Sequence, residues 1–516
     1  MKESSDRNAF CAPWRRLRAK GLGIRWILPL LAFSTSAGCT SSGIGVHRID
    51  SPAVDALLGS SPIDQVHFGV MVTDALTGRV LLAHNAHQWF VPASNQKILV
   101  TAAAWSLLGP DHEFRTELWA AGLIQGNTLE GDLVLVGSGD PSLSGRYWES
   151  GTAALDALAE QVRAAGIHQV TGSLIVDVSA WDSTTVAPTR EVQDLRFQFG
   201  STGGAFAIDE GEFEVIVSGG PSVGGPGRVR WSPVGTLGYV QSLVTTSRAD
   251  SVTSVIPHYL PETRQIVLRG NAEYGTVDTL RIAQRDPVRQ ATAALASALA
   301  RADVRFAHGW SVRWGHGARV GRSCQTGTVK ACSDAHLVGE LTSPPLSELT
   351  AGTLEPSQNW MSEQLVHTLG AELGKHGSWE EGIAVLESFL VDEVGIAPQD
   401  VSARDGSGLS AYNLVTPRAI NRVLRYMYTE SGGDAYRKAM AEPGERGSTL
   451  EHRLLGLESE VFAKTGSISN VNSLSGYIVL ESGNPLIFSI LSNGAGLNPS
   501  RVRERIDDLV RILAGR

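Results

Sequence analysis

Apolar and polar residues alternate from Val66 to Thr73 and again from Arg79 to Ala83, with the turn Asp74-Ala75-Leu76-Thr77-Gly78 between them, which predicts a β-hairpin. Residues 94–108 (SNQKILVTAAAWSLL) carry Ser at a capping position, many Ala and Leu, and Gly109-Pro110 as a stop, which predicts a helix. From about 115 to 340 the pattern changes to short strand-like runs punctuated by Gly: Leu133–Val136, Ser173–Val176, Phe213–Val217 and Gln265–Leu268. Helical spacing of apolar residues returns at Leu346–Leu349, Asn359–Leu373, Trp379–Val394 and Pro417–Thr429. Three more strands are expected at Val461–Thr465, Leu474–Glu481 and Leu486–Ser492, and residues 499–514 read as an amphipathic helix with Pro near its start. The two ends of the chain therefore supply strands and helices able to share one sheet. The reading is a discontinuous α/β domain, 55–114 plus 341–516, carrying a β-rich insertion at 115–340 in two subdomains.

The first forty residues follow another rule. Arg15, Arg16, Arg18, Lys20 and Arg25 precede the short apolar run Trp26–Phe33, and small residues Ser34–Gly38 lead to Cys39. A basic stretch, a short apolar stretch and small residues describe a signal peptide over 1–38. Ser36-Ala37-Gly38-Cys39 resembles a lipobox, so Cys39 is expected to be lipidated and residues 39–54 to form a tether. Export would place the protein in the periplasm or cell envelope of a bacterium, with the membrane touched only through the lipid. The body of the chain has no apolar run long enough to span a bilayer.

With 516 residues, 42% of them hydrophobic and 19% charged, the composition is that of a globular protein of two to four domains. The net charge of −9 gives no reason to expect a nucleic-acid partner. Of the four cysteines, Cys11 and Cys39 belong to the leader. Cys324 and Cys332 remain as a pair suited to a local disulfide in an oxidising compartment. His316 and His336 lie near them, but the spacing is poor for a metal site.

The chain has only seven lysines, and only Lys97 has a Ser three residues before it, Ser94. Residues three apart on a helix share a face, so hydroxyl and amine can meet. A serine is a weak nucleophile near neutrality and needs a base, and a lysine serves once burial or another cation lowers its pKa. Lys464-Thr465-Gly466 is likewise unique and falls on a predicted strand, where backbone N–H groups can meet an extended substrate and Gly466 clears the approach. Ser357-Gln358-Asn359 opens a predicted helix. Lys97 and Lys464, if they converge on one serine, would lower each other's pKa. Other motifs rank lower: Gly220-Pro221-Ser222-Val223-Gly224 sits in a Gly/Pro loop, His84 and His87 lack a third ligand, and Gly137-Ser138-Gly139-Asp140 lacks the Lys of a phosphate loop. Asp405-Gly406-Ser407-Gly408 is expected to shape a tight loop near the site.

Ser-x-x-Lys, Ser-x-Asn and Lys-Thr-Gly in this order resemble the motif set of penicillin-binding proteins and serine β-lactamases. The segments PASNQKILVTAAA, LVGSGDPSLS, SPPLSEL, RDGSGLSAYNLVTPRA and FAKTGSISNVNSLSGYI are similar to those of the class C low-molecular-mass penicillin-binding proteins, the D-Ala-D-Ala carboxypeptidase/endopeptidase family of the penicillin-binding protein 4 type. The likeness runs from about 55 to 512. It implies a serine DD-peptidase/β-lactamase-like transpeptidase fold, α/β in the α+β sense, with an antiparallel sheet flanked by helices and a large β-rich insertion. It implies Ser94 as the acylated nucleophile, Lys97 as its base, Ser357 and Asn359 as proton shuttle and amide holder, and Lys464 with Thr465 facing a substrate carboxylate. Gly466 would belong to the substrate strand, and the N–H of Ser467, where the family usually has Thr, would join that of Ser94 in an oxyanion hole. Asp177 resembles an insertion acid that in some relatives reaches a substrate amine. The implied substrates are peptidoglycan stem peptides ending in D-Ala-D-Ala, or D-Ala cross-links, with β-lactams as covalent inhibitors and no metal or organic cofactor. A serine β-lactamase and a catalytically weak wall-binding scaffold are the rival readings. The insertion argues against the first, and the presence of both lysines against the second.

Overall fold

The computed structural model describes residues 51–59 and 65–515, apart from 202, 233–239, 264, 316–334, 482, 484, 495 and 497. The leader 1–38, Cys39, and the Cys324 and Cys332 pair lie outside the described residues, as does most of the expected tether.

The ends of the chain do share one sheet. Its five strands run in the order Glu460–Ile468, Val471–Val479, Pro485–Asn493, His67–Asp74, Val80–His84. Every neighbouring pair is antiparallel. Successive side chains on a strand point to opposite faces, and both faces are covered here. Phe68, Val70, Val72, Phe488 and Ile490 pack under the helices Ser51–Leu58 and Pro499–Leu513, through Val54, Leu58, Val502, Ile506 and Leu509. On the opposite face Tyr477, Ile487 and Leu491 join Ile98, Leu99, Trp360, Leu365, Ile420 and Leu424 from the helices Gln96–Leu108, Asn359–Leu373 and Pro417–Tyr426. Gln96 through Trp105 are all buried, so this helix is the centre of the body and not an amphipathic cover.

The inserted region begins and ends side by side. Arg115–Gln125 pairs antiparallel with both Thr128–Val136 and Ala335–Thr342, within a seven-stranded sheet. Two helices missing from the sequence reading, Ala153–Ala164 and Pro287–Arg301, cover that sheet through Leu155, Leu158, Val162, Leu295 and Leu299. The second had a start signal: Asp286 caps it by accepting from Arg289 N–H, and Pro287 follows in its first turn. Two three-stranded sheets, centred on Glu212–Ser218 and Gln265–Glu273, share a further core of Phe213, Val215, Val217, Ile266, Leu268 and Ile282. Contact with the body includes Trp181, stacked on His367 with ring centroids 4.7 Å apart, while His367 meets Trp379 edge-on at 4.2 Å.

Candidate active site

Ser94 does not cap its helix. The chain leaves Pro92, turns through Ala93 at φ 47°, and forms one 3-10 turn, Ala93–Asn95, before the α-helix begins at Gln96. A non-glycine residue in this left-handed region costs on the order of 1 kcal/mol or more, so the surroundings must hold it. Gly408 is one such neighbour: it sits at φ 81°, and a Cβ there would come within 1.8 Å of the Ala93 carbonyl oxygen. The turn leaves Ser94 half-buried, with its Oγ turned to Lys97 instead of to the helix end.

Lys97 is wholly buried. Its Nζ lies 2.8 Å from Ser94 Oγ, 2.6 Å from Asn359 Oδ1 and 2.8 Å from the Ser407 carbonyl oxygen. An ammonium fills all three positions as donor. A neutral amine keeps two of them and turns its lone pair to the Ser94 O–H, the geometry a base requires. Burial pushes the Lys97 pKa down to about 7, against the pull of Asp405 and Glu363, and the Arg190 charge adds to the fall. Burial is also the largest cause for Lys464, which sits well below the usual lysine range, with the charge of Lys97 second. Of the mutual depression expected from the sequence, the charge of Lys97 acts on Lys464 second to desolvation, whereas the charges acting on Lys97 are those of Asp405, Glu363 and Arg190.

The Lys464 strand and its neighbour Val471–Val479 are both tied to the serine turn. Asn95 Nδ2 donates to the Lys464 carbonyl at 2.9 Å, and Ser473 Oγ donates to the Pro92 carbonyl at 2.8 Å. A Cβ on Gly466 would lie 2.2 Å from Ser473 Oγ and 2.9 Å from Ser94 N, so only glycine admits this approach. Lys464 Nζ donates to the Thr465 carbonyl at 2.9 Å. The strand is a sheet edge, and Ala463 N–H donates outward to the Ala441 carbonyl at 2.9 Å. By the period of two, the N–H groups of Thr465 and Ser467 point the same way, beyond the sheet edge. The Ser467 side chain is exposed, and its hydroxyl donates to Asn472 Oδ1 at 3.3 Å.

In the Ser-x-Asn motif the capping residue is Gln358, whose side chain accepts from Trp360 N–H. Its amide also donates to Glu210 of the inserted region, itself paired to Arg146 at 2.7 Å. Ser357 stands at φ 64° just before the helix, and its hydroxyl takes no part in the hydrogen bonds of Lys97. Asn359 bridges: Oδ1 accepts from Lys97, and Nδ2 donates to the Phe199 carbonyl at 2.8 Å. Asp177 stands apart from these bonds. It is buried in the inserted region, paired to Arg313 at 3.1 Å and accepting from Ser179 N–H at 3.0 Å. The Asp405–Gly408 loop does border the site, and Asp405 itself is a buried acceptor for Gly408 N–H, Ser410 N–H and Asn413 Nδ2 at 2.7–2.9 Å. Sequence reasoning missed the Ser407 and Phe199 carbonyls, since a backbone acceptor leaves no mark in residue type. It also missed Glu363 and Arg190. Among the described residues no group of His, Cys, Asp and Glu is placed to hold a metal.

A serine hydroxyl bonded to a buried lysine of lowered pKa, beside an edge strand whose alternate N–H groups point beyond the sheet, has the parts of an acyl-transfer centre of the serine hydrolase class. Comparison with known proteins then fixes the family. The chain belongs to the D-Ala-D-Ala carboxypeptidase 3 (S13) family, whose model matches residues 51–515, and it is a serine peptidase of the penicillin-binding protein 4 type. It is 30% identical over 470 residues to the D-alanyl-D-alanine carboxypeptidase of Actinomadura sp. (strain R39), covering 88% of this chain and 82% of that one. Over 436 residues it is 25% identical to the D-alanyl-D-alanine carboxypeptidase DacB of Haemophilus influenzae, covering 83% and 85%. The crystal structure of penicillin binding protein 4 (dacB) from Haemophilus influenzae superposes with a TM-score of 0.75 at 22% identity, covering 89% of this chain and 99% of that one.

Proposed function

We propose that this protein cleaves peptidoglycan stem peptides through an acyl-enzyme on Ser94. Neutral Lys97 takes the Ser94 proton as Oγ attacks the carbonyl between two D-residues. The tetrahedral oxyanion accepts from the N–H groups of Ser94 and Ser467, while the substrate's terminal carboxylate faces Lys464 and Thr465. The C–N bond breaks, the proton passes from Lys97, with Ser357 as relay, to the departing D-Ala amine, and Asn359 holds the substrate amide. Water then cleaves the ester and frees Ser94. A cross-link presents the same bond with a larger leaving amine, so a DD-endopeptidase reaction follows the same course. A β-lactam would acylate the same serine and keep its leaving group attached. Export and a lipid anchor at Cys39 would bring the enzyme to the wall.

The observation that carries this reading is the 2.8 Å contact between the buried Lys97 Nζ and Ser94 Oγ. The test is release of D-Ala from a pentapeptide ending in D-Ala-D-Ala, wild type beside Ser94→Ala, followed by cross-linked muropeptides. Release that vanishes in the variant is the expected result. Equal release by both proteins would refute the role of Ser94.

A further inference from the structure

Lys97 is steered by a residue that belongs neither to the three motifs nor to the body of the fold. Arg190 comes from the inserted region, and its side chain is 1% exposed. Its guanidinium lies 2.8 Å from Glu363 Oε1 and 3.7 Å from Asp405 Oδ2, and donates to Ser407 Oγ at 3.5 Å. Among the described residues no other cation is in ion-pair contact with either carboxylate. Glu363 in turn accepts from Gly406 N–H at 2.9 Å, Ser407 N–H at 3.0 Å and Trp379 Nε1 at 2.8 Å. The two carboxylates thus grip one face of the 405–408 loop, and the Ser407 carbonyl on that loop takes the third hydrogen bond of Lys97.

We infer that Arg190 is a positioning residue for Lys97: by pairing with Glu363 and Asp405 it holds the Ser407 carbonyl on the lysine and offsets the negative charge beneath it. This rests on Lys97 being the base, as proposed above. Without the guanidinium the two buried carboxyl groups would share negative charge with no balancing cation, and that charge would hold a proton on the amine. Burial and the charge of Glu363 already push Asp405 upward, with Arg190 holding it back. Glu363 stays low despite burial because Arg190 and its hydrogen bonds outweigh the desolvation. The charged groups around Lys97 are Lys464 from the edge strand, Glu363 from its helix, Asp405 from the loop and Arg190 from the insertion. Asp194 also acts on Arg190 from outside, and Glu363 acts on the buried His367.

The test is the rate of acylation by a chromogenic cephalosporin from pH 5.5 to 9.5, for wild type, Arg190→Lys and Arg190→Met of the full chain. Arg190→Lys is expected to keep the acid limb of the wild type. Arg190→Met is expected to move it up by about one pH unit, so that acylation falls roughly tenfold at pH 6 and no more than about threefold at pH 9. Arg190→Gln carries the same expectation if the Met variant fails to melt cooperatively. A loss of rate that is equal at every pH would overturn the inference. A wild type that is never acylated would refute the Ser94 mechanism itself, a different result.

Discussion

Two walls meet at Ser94, and they are assembled at very different distances along the chain. One is the serine turn with Lys97, three residues apart on a single helical turn. The other comes from far away: Asn359 is 262 residues from Lys97 and Ser407 is 310. The near wall brings hydroxyl and amine together. The far wall removes water and charge from the amine, which turns contact into chemistry. A Ser-x-x-Lys turn on an exposed helix would have the first property and lack the second, since a solvated lysine stays protonated near neutrality.

The largest way to break this comparison is to remove the residue both walls share. Lys97→Met should cut acylation by roughly 10³-fold in a stopped-flow assay, the range expected for loss of a general base. Gly466→Val leaves every polar group in place and forces the edge strand off the serine turn. It should cost about 100-fold in acylation, with the protein still folded by circular dichroism. The pH dependence sharpens the role of burial. Lys97 titrates near 7 in the folded protein, so acylation should fall about tenfold per unit below that pH and level off above it. The same shift bears on stability. The unfolded chain holds this proton up to about the ordinary lysine value of 10.5, the folded one releases it near 7, and in that window the unfolded state binds more protons. Wild type should therefore gain stability relative to Lys97→Met as pH rises from 7 to 10, and thermal melting at both ends would measure it. The smallest effect is expected at the exposed Ser467, whose proposed part in the oxyanion hole belongs to its backbone N–H, while its hydroxyl is turned to Asn472. Ser467→Thr should change turnover by no more than about twofold.

The contrast also sorts what could be read from residue order. The hairpin, the closing strands, the central helices and both lysine motifs were legible because each rests on short-range periodicity or adjacency. The helices Ala153–Ala164 and Pro287–Arg301 were missed because abundant glycine made the whole stretch look like strands and turns. Ser94 was expected at a cap because Ser before an apolar run is a common helix start. The positive φ at Ala93, supported by Gly408 from the far wall, turns the Ser94 hydroxyl to Lys97 instead. Within Ser357-Gln358-Asn359, which opens a helix as expected, the capping side chain is that of Gln358. The remaining contributors act through backbone carbonyls or through a guanidinium buried at the junction of insertion and body. Neither kind carries a local pattern, and only the folded topology brings them together.

The most direct measurement is intact-mass analysis of the wild type after exposure to benzylpenicillin, followed by peptide mapping. Ring opening by Ser94 forms an ester without losing an atom of the drug, so the protein should gain the full mass of one penicillin on the peptide containing Ser94. Ser94→Ala should gain nothing. An adduct on another residue, or no adduct with the drug left intact, would contradict the account.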